Sequence, residues 1–366
     1  MPVERPGLSV VIRSKDEAPR LALTLAALEC QADGAEIVVV DDGSSDGTPE
    51  VLAGAASRLP LVALRHPAAL GRSAASNTGA RHARGELLLF LDGDTLPAPD
   101  LLARHRAAHA RAGDLVVRGE PMHLRCTRML LDPDAGTAFP AHAETLARRP
   151  PAERERMRVT REQVRDAFAE VARRAEPGIY PGAGPRRLQA LEIQALREAP
   201  DCAVLWAAAS GHNQSVRRER FLRCGGFDER LDINEHRELA WRLVRGGARV
   251  ALADGAHTYH LTHRSAWRDP VADPAWERHF LAAHPDPAVA LLCVFWAGLS
   301  DPSRLEPRWR IASLPELERA ARDAAGTDFD EARARLGLER LGDGFWRSGT
   351  SAAAAAGPAA AGRSPA

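Results

Sequence analysis

Gly85-Glu86-Leu87-Leu88-Leu89-Phe90-Leu91-Asp92-Gly93-Asp94 decides how the rest of the chain is read, because an apolar run breaks there abruptly into two carboxylates. Residues 87–91 have strand length and lack the polar alternation of a strand with one wet face, which predicts a strand buried on both sides. Gly93 permits a tight turn between the two acids. In an open α/β sheet ligands bind beyond the carboxyl ends of the strands, so acids delivered there are candidate site residues. Two carboxylates one residue apart suit Mg2+ or Mn2+ carrying a phosphate-bearing substrate. A solvated Asp-Gly turn accounts for the same ten residues, so the weight falls on the flanking sequence.

Upstream, residues 8–12 read as a strand, residues 13–17 as a loop, and Leu21, Leu25 and Leu28 as one face of a helix. Residues 37–40 form a second strand-like run that ends in Asp41-Asp42-Gly43-Ser44-Ser45-Asp46-Gly47. Thr48 then fits an N-cap and Pro49 a first helical position, with a helix to about residue 57. Residues 61–64 supply a third strand and residues 73–83 a third helix. This alternation implies an α/β fold with a mostly parallel central sheet flanked by helices. Two acidic strand ends, at Asp42 and at Asp92 and Asp94, then share one edge.

Downstream, a helix beginning near Asp100 runs to residue 111, and residues 115–118 make a further strand. From residue 126 to 200 the texture becomes Arg/Glu-rich and is broken by Pro150-Pro151, Pro177, Pro181 and Pro185, which reads as a helical insertion. Residues 153–175 within it have the charge spacing of one exposed helix. Residues 203–209, with Trp206, resume a strand-like run, followed by Ser210-Gly211-His212-Asn213-Gln214-Ser215-Val216, a short helix over 217–224, and Gly225-Gly226-Phe227-Asp228-Glu229. Asn234-Glu235-His236-Arg237-Glu238-Leu239 opens another helix, in which Glu235 and Glu238 are expected on one side. Residues 248–253 are a strand leading into a loop with His257, His260 and His263. The organisation expected is a first half of an α/β domain over 1–125, the insertion over 126–200, a second half of the same domain over 201–266, a helical C-terminal region over 267–347 and a disordered tail over 348–366.

Residues 8–17, 37–46, 79–94 and 210–229 together resemble family 2 glycosyltransferases with the GT-A nucleotide-sugar-binding fold, which implies that residues 1–125 are the nucleotide-sugar-binding half and residues 201–266 the acceptor-binding, catalytic half. The resemblance rests on the acidic strand ends and on the order and spacing of the Gly-Asn-x-Ser-like turn, the short helix and Gly-Gly-Phe-Asp-Glu. It implies a metal-dependent transfer of a sugar, hexosyl or N-acetylhexosaminyl, from a nucleoside diphosphate donor, most often UDP-linked. It further implies that Asp42 contacts the base, that Arg13, Ser14 and Asp16 flank it, that Asp92 and Gly93 lie near the ribose, and that Asp94 holds Mn2+ or Mg2+. In several relatives a histidine after the last strand joins the metal, and His260 matches that place; His257 and His263 are read as polar loop residues. Arg72 is a candidate for the diphosphate, in place of the Arg-Asn pair that many relatives carry. Gly211, Asn213, Asp228 and Glu238 are candidates for the sugar or acceptor. Glu235 and His236 are the catalytic candidates. Relatives usually carry an aspartate as base where this chain has His236, and some retaining relatives that glycosylate polypeptides carry Asn, so inversion and retention both stand open.

Composition narrows the alternatives. The 366 residues carry no net charge, with 49 cationic and 49 acidic side chains, so nothing suggests a nucleic-acid partner. The five cysteines are scattered and show no Cys-x-x-Cys spacing, as expected of free thiols in a reducing compartment. The longest apolar stretch near the C-terminus, residues 288–299, is about half the roughly 20 residues that a membrane span needs, and the N-terminal residues lack a signal core. The expectation is a cytoplasmic protein without an integral membrane span, acting on a glycan, natural product or peptide acceptor. A nucleotidyltransferase would use a related sheet, but the glycine-rich phosphate loop expected after the first strand is missing. A non-catalytic donor-binding scaffold is the third reading, motivated by His236.

Overall fold

The computed structural model describes residues 6–31, 34–111, 113–177, 188–263, 275–324 and 330–338, with Val271, Asp273 and Leu341. The first part runs β1 (Leu8–Ser14), α1 (Ala18–Glu29), β2 (Ala35–Asp41), α2 (Thr48–Ala55), β3 (Leu61–Arg65), α3 (Arg72–His82), β4 (Leu87–Asp92), β5 (Thr95–Pro97), α4 (Leu101–Ala110) and β6 (Leu115–His123). There follow a hairpin of β7 (Leu130–Asp132) and β8 (Thr137–Ala138), then α5 (Ala143–Ala147), α6 (Pro151–Met157), α7 (Arg161–Asp166), α8 (Phe168–Ala172), β9 (Glu176–Pro177) and α9 (Leu188–Glu198). The chain then returns through β10 (Gln214–Arg217), α10 (Arg218–Arg223), α11 (Glu235–Arg245) and β11 (Arg249–His260) to the helices α12 (Ala275–Ala283), α13 (Pro287–Gly298), α14 (Leu314–Asp323) and α15 (Asp330–Arg335).

The sheet is mixed and mostly parallel, in the order β3-β2-β1-β4-β10-β6-β11-β5, with β9 added beside β6. Strands β3, β2, β1 and β4 run parallel, β10 is antiparallel to β4 and β6, and β11 lies parallel to β6. Side chains in the first strands alternate between two cores, as the two-residue period of a strand requires. Val10, Ile12, Ile37, Val39, Leu87, Leu89 and Leu91 pack with α1, α2 and α4, whereas Val11, Val38, Leu88 and Phe90 face the other core. That second core takes in the C-terminal helices, where Trp276, Phe280, Leu291, Phe295, Trp296 and Trp309 are all buried. Both faces are covered, which is why residues 87–91 carry no polar alternation.

Several local expectations are corrected. Residues 203–209 are not a strand; Leu205–Ala208 is a 3-10 helix packed against α9 and α11. A short apolar run satisfies a buried helix as well as a strand, and here buried arginines bind the carbonyls of Ala207 and Ala208 that a ladder would need. The strand is the polar Gln214–Arg217, whose buried Ser215 hydroxyl meets His105 and His109 of α4 at 2.8 and 2.9 Å. Residues 153–175 form α6, α7 and α8 in place of one helix, because Thr160 and Gln163 close a capping box and Val159, Val164 and Val171 are buried. The histidines at 257 and 260 stand in β11, which extends to residue 260 through an irregularity between Leu252 and His257. At α2, Asp46 accepts from the Thr48 amide and hydroxyl, so Thr48 is capped by Asp46 and does not itself cap.

The segment over 126–200 packs in two places. Val159, Val164 and Val171 join Leu23, Ala26 and Ala27 of α1, while α9 packs against the 3-10 helix and β11. All five cysteines are free thiols. Among the described residues no helix is long and apolar enough to cross a membrane. The expected tail over 348–366 lies outside the described residues.

Candidate active site

Strand register brings distant residues together at the carboxyl edge of β4. Arg13 of β1 is the register partner of Asp92 in the parallel pair, so its guanidinium reaches that carboxylate, Nε to Oδ1, at 2.7 Å. Its Nη1 donates to Glu235 Oε1 at 2.9 Å, at the first turn of α11. Burial opposes the charge on Glu235, but Arg13 is the chief group that holds its carboxyl well below the usual range. Arg13 thus ties the strand of Asp92 to the helix of the two catalytic candidates.

The second convergence is at Asp94. In the antiparallel pair His260 of β11 lies opposite Thr95, and the Leu261 amide donates to the Asp94 carbonyl at 2.9 Å. The Nε2 atoms of His260 and His263 lie 3.0 and 2.9 Å from the same Asp94 oxygen, Oδ2. One carboxylate oxygen and two imidazole nitrogens, all within 4.8 Å of one another, form a group that fits a metal ion. The buried Nδ1 of His260 has no hydrogen-bond partner. Burial disfavours charge on both Asp94 and His260, yet their attraction overrides it, lowering the Asp94 carboxyl well below its ordinary value and raising His260. A nitrogen-rich donor set suits Mn2+ better than the harder Mg2+.

Three further groups complete the edge. His123, register partner of His260 across β6 and β11, has its ring centroid 5.3 Å from that of His260 and is pushed down to about 3 by burial. His212 follows Gly211 in the turn before β10; its buried Nε2 lacks a partner, and burial lowers it to about 4. Glu17 is raised well above the usual carboxyl value by burial, Asp94 and Asp92. A Cβ on Gly93 would stand 2.5 Å from Glu17 Oε1 and 2.8 Å from Ser14 Oγ, so only glycine fits between the two acids.

The other donor-side candidates sit at the same rim with defined partners. Asp42 accepts from His66 Nδ1 at 2.7 Å and from the amides of Leu70 and Gly71 at 2.8 and 2.9 Å, which shapes the 66–71 loop. Asp16 adopts a left-handed φ of 52° and accepts from Ser45, joining the loops after β1 and β2. Ser14 is buried, with its hydroxyl beside the Glu17 carboxyl. Arg72, at the start of α3, is exposed, forms no hydrogen bond or ion pair among the described residues, and acts electrostatically on Glu235.

Three acceptor-side candidates are engaged by partners within the fold. Asn213 is fully buried in the core: Nδ2 donates to Ala256 O and Thr258 Oγ1, and Oδ1 faces His105 Nε2 at 2.8 Å, so its amide holds strands together. Glu238 does not share the surroundings of Glu235; it is buried against Arg242 and His284. Asp228 accepts from Arg230 and lies 2.9 Å from His279 Nε2, pinning its loop to α12. Gly211 does lie at the site, where a Cβ would come within 3.1 Å of His236 Nδ1. Sequence reasoning left out Glu17, His123 and His212, and it placed His263 in a loop, where it lies, without joining it to Asp94. For His123 the signal was the length of β6, which runs five residues beyond the expected 118.

Comparison with known proteins agrees with this architecture. Residues 9–127, from β1 to just beyond β6, match the model of Glycosyl transferase family 2. The uncharacterized glycosyltransferase YfnE of Bacillus subtilis is 38% identical over 114 residues, 30% of this chain and 29% of that protein. Validoxylamine A glucosyltransferase of Streptomyces hygroscopicus is 38% identical over 109 residues, 29% of this chain and 26% of that protein. The matched stretch therefore spans under a third of either relative. The crystal structure of S. aureus TarS 1-349 superposes with a TM-score of 0.51 at 16% identity, covering 95% of this chain and 91% of that one, which makes the fold GT-A-like.

Proposed function

Proceeding from the family 2 glycosyltransferase domain that this chain carries over residues 9–127, we propose that it is a metal-dependent glycosyltransferase moving a hexosyl or N-acetylhexosaminyl group from a nucleoside diphosphate donor. The observation that carries the reading is the meeting of Asp94, His260 and His263 at the edge where Asp92, Arg13 and Glu235 are also held. A divalent ion on the first three would supply Lewis-acid stabilisation for a leaving diphosphate. Arg72, exposed at the start of α3, supplies a cation for the same phosphates. Asp92 lies beside the ribose position, and Asp42, whose Oδ2 takes one internal donor, contacts the base from the wall it builds. A protein of like fold has been solved with UDP-GlcNAc, so UDP-sugars are the donors to try first.

Glu235, ionised by Arg13, accepts the hydrogen bond of the acceptor hydroxyl and takes its proton in an inverting transfer. A retaining transfer is the second reading. It is favoured by the contact of Arg237 Nη1 with His236 Nε2 at 2.9 Å, which occupies the nitrogen that a base at position 236 would use. The 126–200 segment leaves β6 and comes back beside the site, which supports a part in acceptor recognition.

The test is release of nucleoside diphosphate from a panel of UDP- and GDP-sugars, with and without Mn2+. Mn2+-dependent release that is lost in Asp94→Asn supports the proposal; no release from any donor supports a binding scaffold instead. With an acceptor in hand, the anomeric configuration of the product separates inversion from retention.

A further inference from the structure

Arg237 is buried at 4% exposure, and its guanidinium donors are held in a fixed fork. Nε donates to Ala207 O at 2.7 Å, Nη2 to Glu192 Oε1 at 2.9 Å, and Nη1 to both Asn234 Oδ1 at 2.7 Å and His236 Nε2 at 2.9 Å. Asn234 precedes α11 in the left-handed conformation, φ 62°, which asparagine tolerates better than most residues. Trp296 closes the other side, with the guanidinium carbon 5.0 Å from the centre of its ring. Glu192, on α9, is itself buried and shared with Arg118, whose Nη1 reaches its other oxygen at 2.7 Å. The fork is anchored from three elements, so its position is set independently of the imidazole it touches.

An arginine has donors and no acceptor. The nitrogen that meets Nη1 must therefore be a lone pair, and the single proton of a neutral His236 must sit on the other nitrogen. That nitrogen, Nδ1, is buried without a hydrogen-bond partner, 3.7 Å from Glu235 Oε2 and beside Gly211. Burial, aided by Arg237 and Arg13, outweighs the attraction of Glu235 and lowers His236 below its ordinary value, so the ring is neutral at neutral pH.

Resting on the glycosyltransferase reading, we infer that Glu192 and Arg237 are positioning residues that fix His236 as its Nδ1–H tautomer, so that its single N–H is on the side of Glu235. In this arrangement His236 does not accept the proton of the acceptor. A line of hydrogen bonds runs from Glu192 through Arg237 to His236, whose Nδ1 lies 3.7 Å from Glu235 Oε2, and Arg13 joins Glu235 to Asp92, so a buried carboxylate on α9 sets which imidazole nitrogen faces the reaction centre with a proton. Accepting a proton at Nε2 would require the ring to leave Arg237, which the packed fork opposes.

Long-range proton–nitrogen correlation spectra of protein labelled with 15N-histidine, with His236→Gln to identify the signal, read the tautomer directly. The wild type is expected to show the proton on Nδ1 and a bare Nε2 at neutral pH. In folded Arg237→Met the Nε2–H form should gain population, and in Glu192→Gln, which keeps the shape of the anchor, it should do so partially. A wild-type proton on Nε2, or a doubly protonated ring, overturns the inference whether or not the variants fold. An unchanged tautomer in folded Arg237→Met overturns the role of Arg237. Titration of UDP in the presence of Mn2+ supplies the control: Glu192→Gln should bind as the wild type does, and a loss of about tenfold, ~1.4 kcal/mol, would show a general architectural role and overturn the assignment. Absence of UDP binding in the wild type would refute the glycosyltransferase reading and leave the tautomer result standing.

Discussion

Replacing Arg13 by methionine removes the cation that joins Asp92 to Glu235 while keeping most of its aliphatic volume. The two arms are unequal. Asp92 is 28% exposed, so water takes over much of that pair and its loss costs about 1 kcal/mol or less. Glu235 is 4% exposed, and removing one partner of a buried pair costs about 3–5 kcal/mol because a charge stays behind without compensation. Protonation relieves that charge, which gives the effect a pH signature. In the wild type the folded Glu235 carboxyl lies below its unfolded value, so its stabilisation is present above about pH 4.3 and lost as the pH falls. In Arg13→Met burial, the largest influence on Glu235, is opposed only by His236 and Arg72, so the folded carboxyl should rise above the unfolded value and stability should be lost as the pH rises past about 4.3. The gap between the two proteins should therefore widen with pH. Urea unfolding followed by tryptophan fluorescence at about pH 5 and about pH 8 measures it. A gap below about 1 kcal/mol at the higher pH, or the same gap at both, would refute the claim that Arg13 neutralises a buried Glu235.

Removal of either imidazole, His260→Ala or His263→Ala, should weaken Mn2+ binding at least about tenfold in calorimetric titration, and equal loss in both would establish His263 as a ligand of the same rank as His260. Because Asp94 raises His260 above its ordinary value and a metal binds only the neutral ring, Mn2+ affinity should climb as the pH passes upward through the histidine range, with protons released on binding. Trp296→Ala should cost about 3–5 kcal/mol in thermal or urea unfolding, as other large-to-small core changes do, and should also reduce turnover, since the ring carries the guanidinium of Arg237.

The carboxyl-edge acids were legible because a doubly buried strand that ends in Asp-Gly-Asp leaves few other readings, and alternating strands and helices put the ends of β1, β2 and β4 on one side. The last strand was harder. Residues 249–260 pass through Asp254 and Gly255, and the interruption hid the continuation that carries His260 to Thr95. The surroundings of Asn213 and Glu238 were hidden for a different reason: each is polar and near a motif, but His105 and Thr258 for one and His284 for the other come from elements remote in sequence. The Arg118–Glu192–Arg237 network was invisible because it joins three segments whose charges look like solvated faces until the fold buries them.

Binding of UDP with and without Mn2+, compared between the wild type and Asp94→Asn, tests the central claim most directly. The account predicts that Mn2+ strengthens UDP binding to the wild type, and that Asp94→Asn, which loses both a ligand atom and a charge, binds UDP equally weakly with or without the ion. Binding by the wild type that is indifferent to Mn2+, or a metal effect that survives intact in Asp94→Asn, would contradict it.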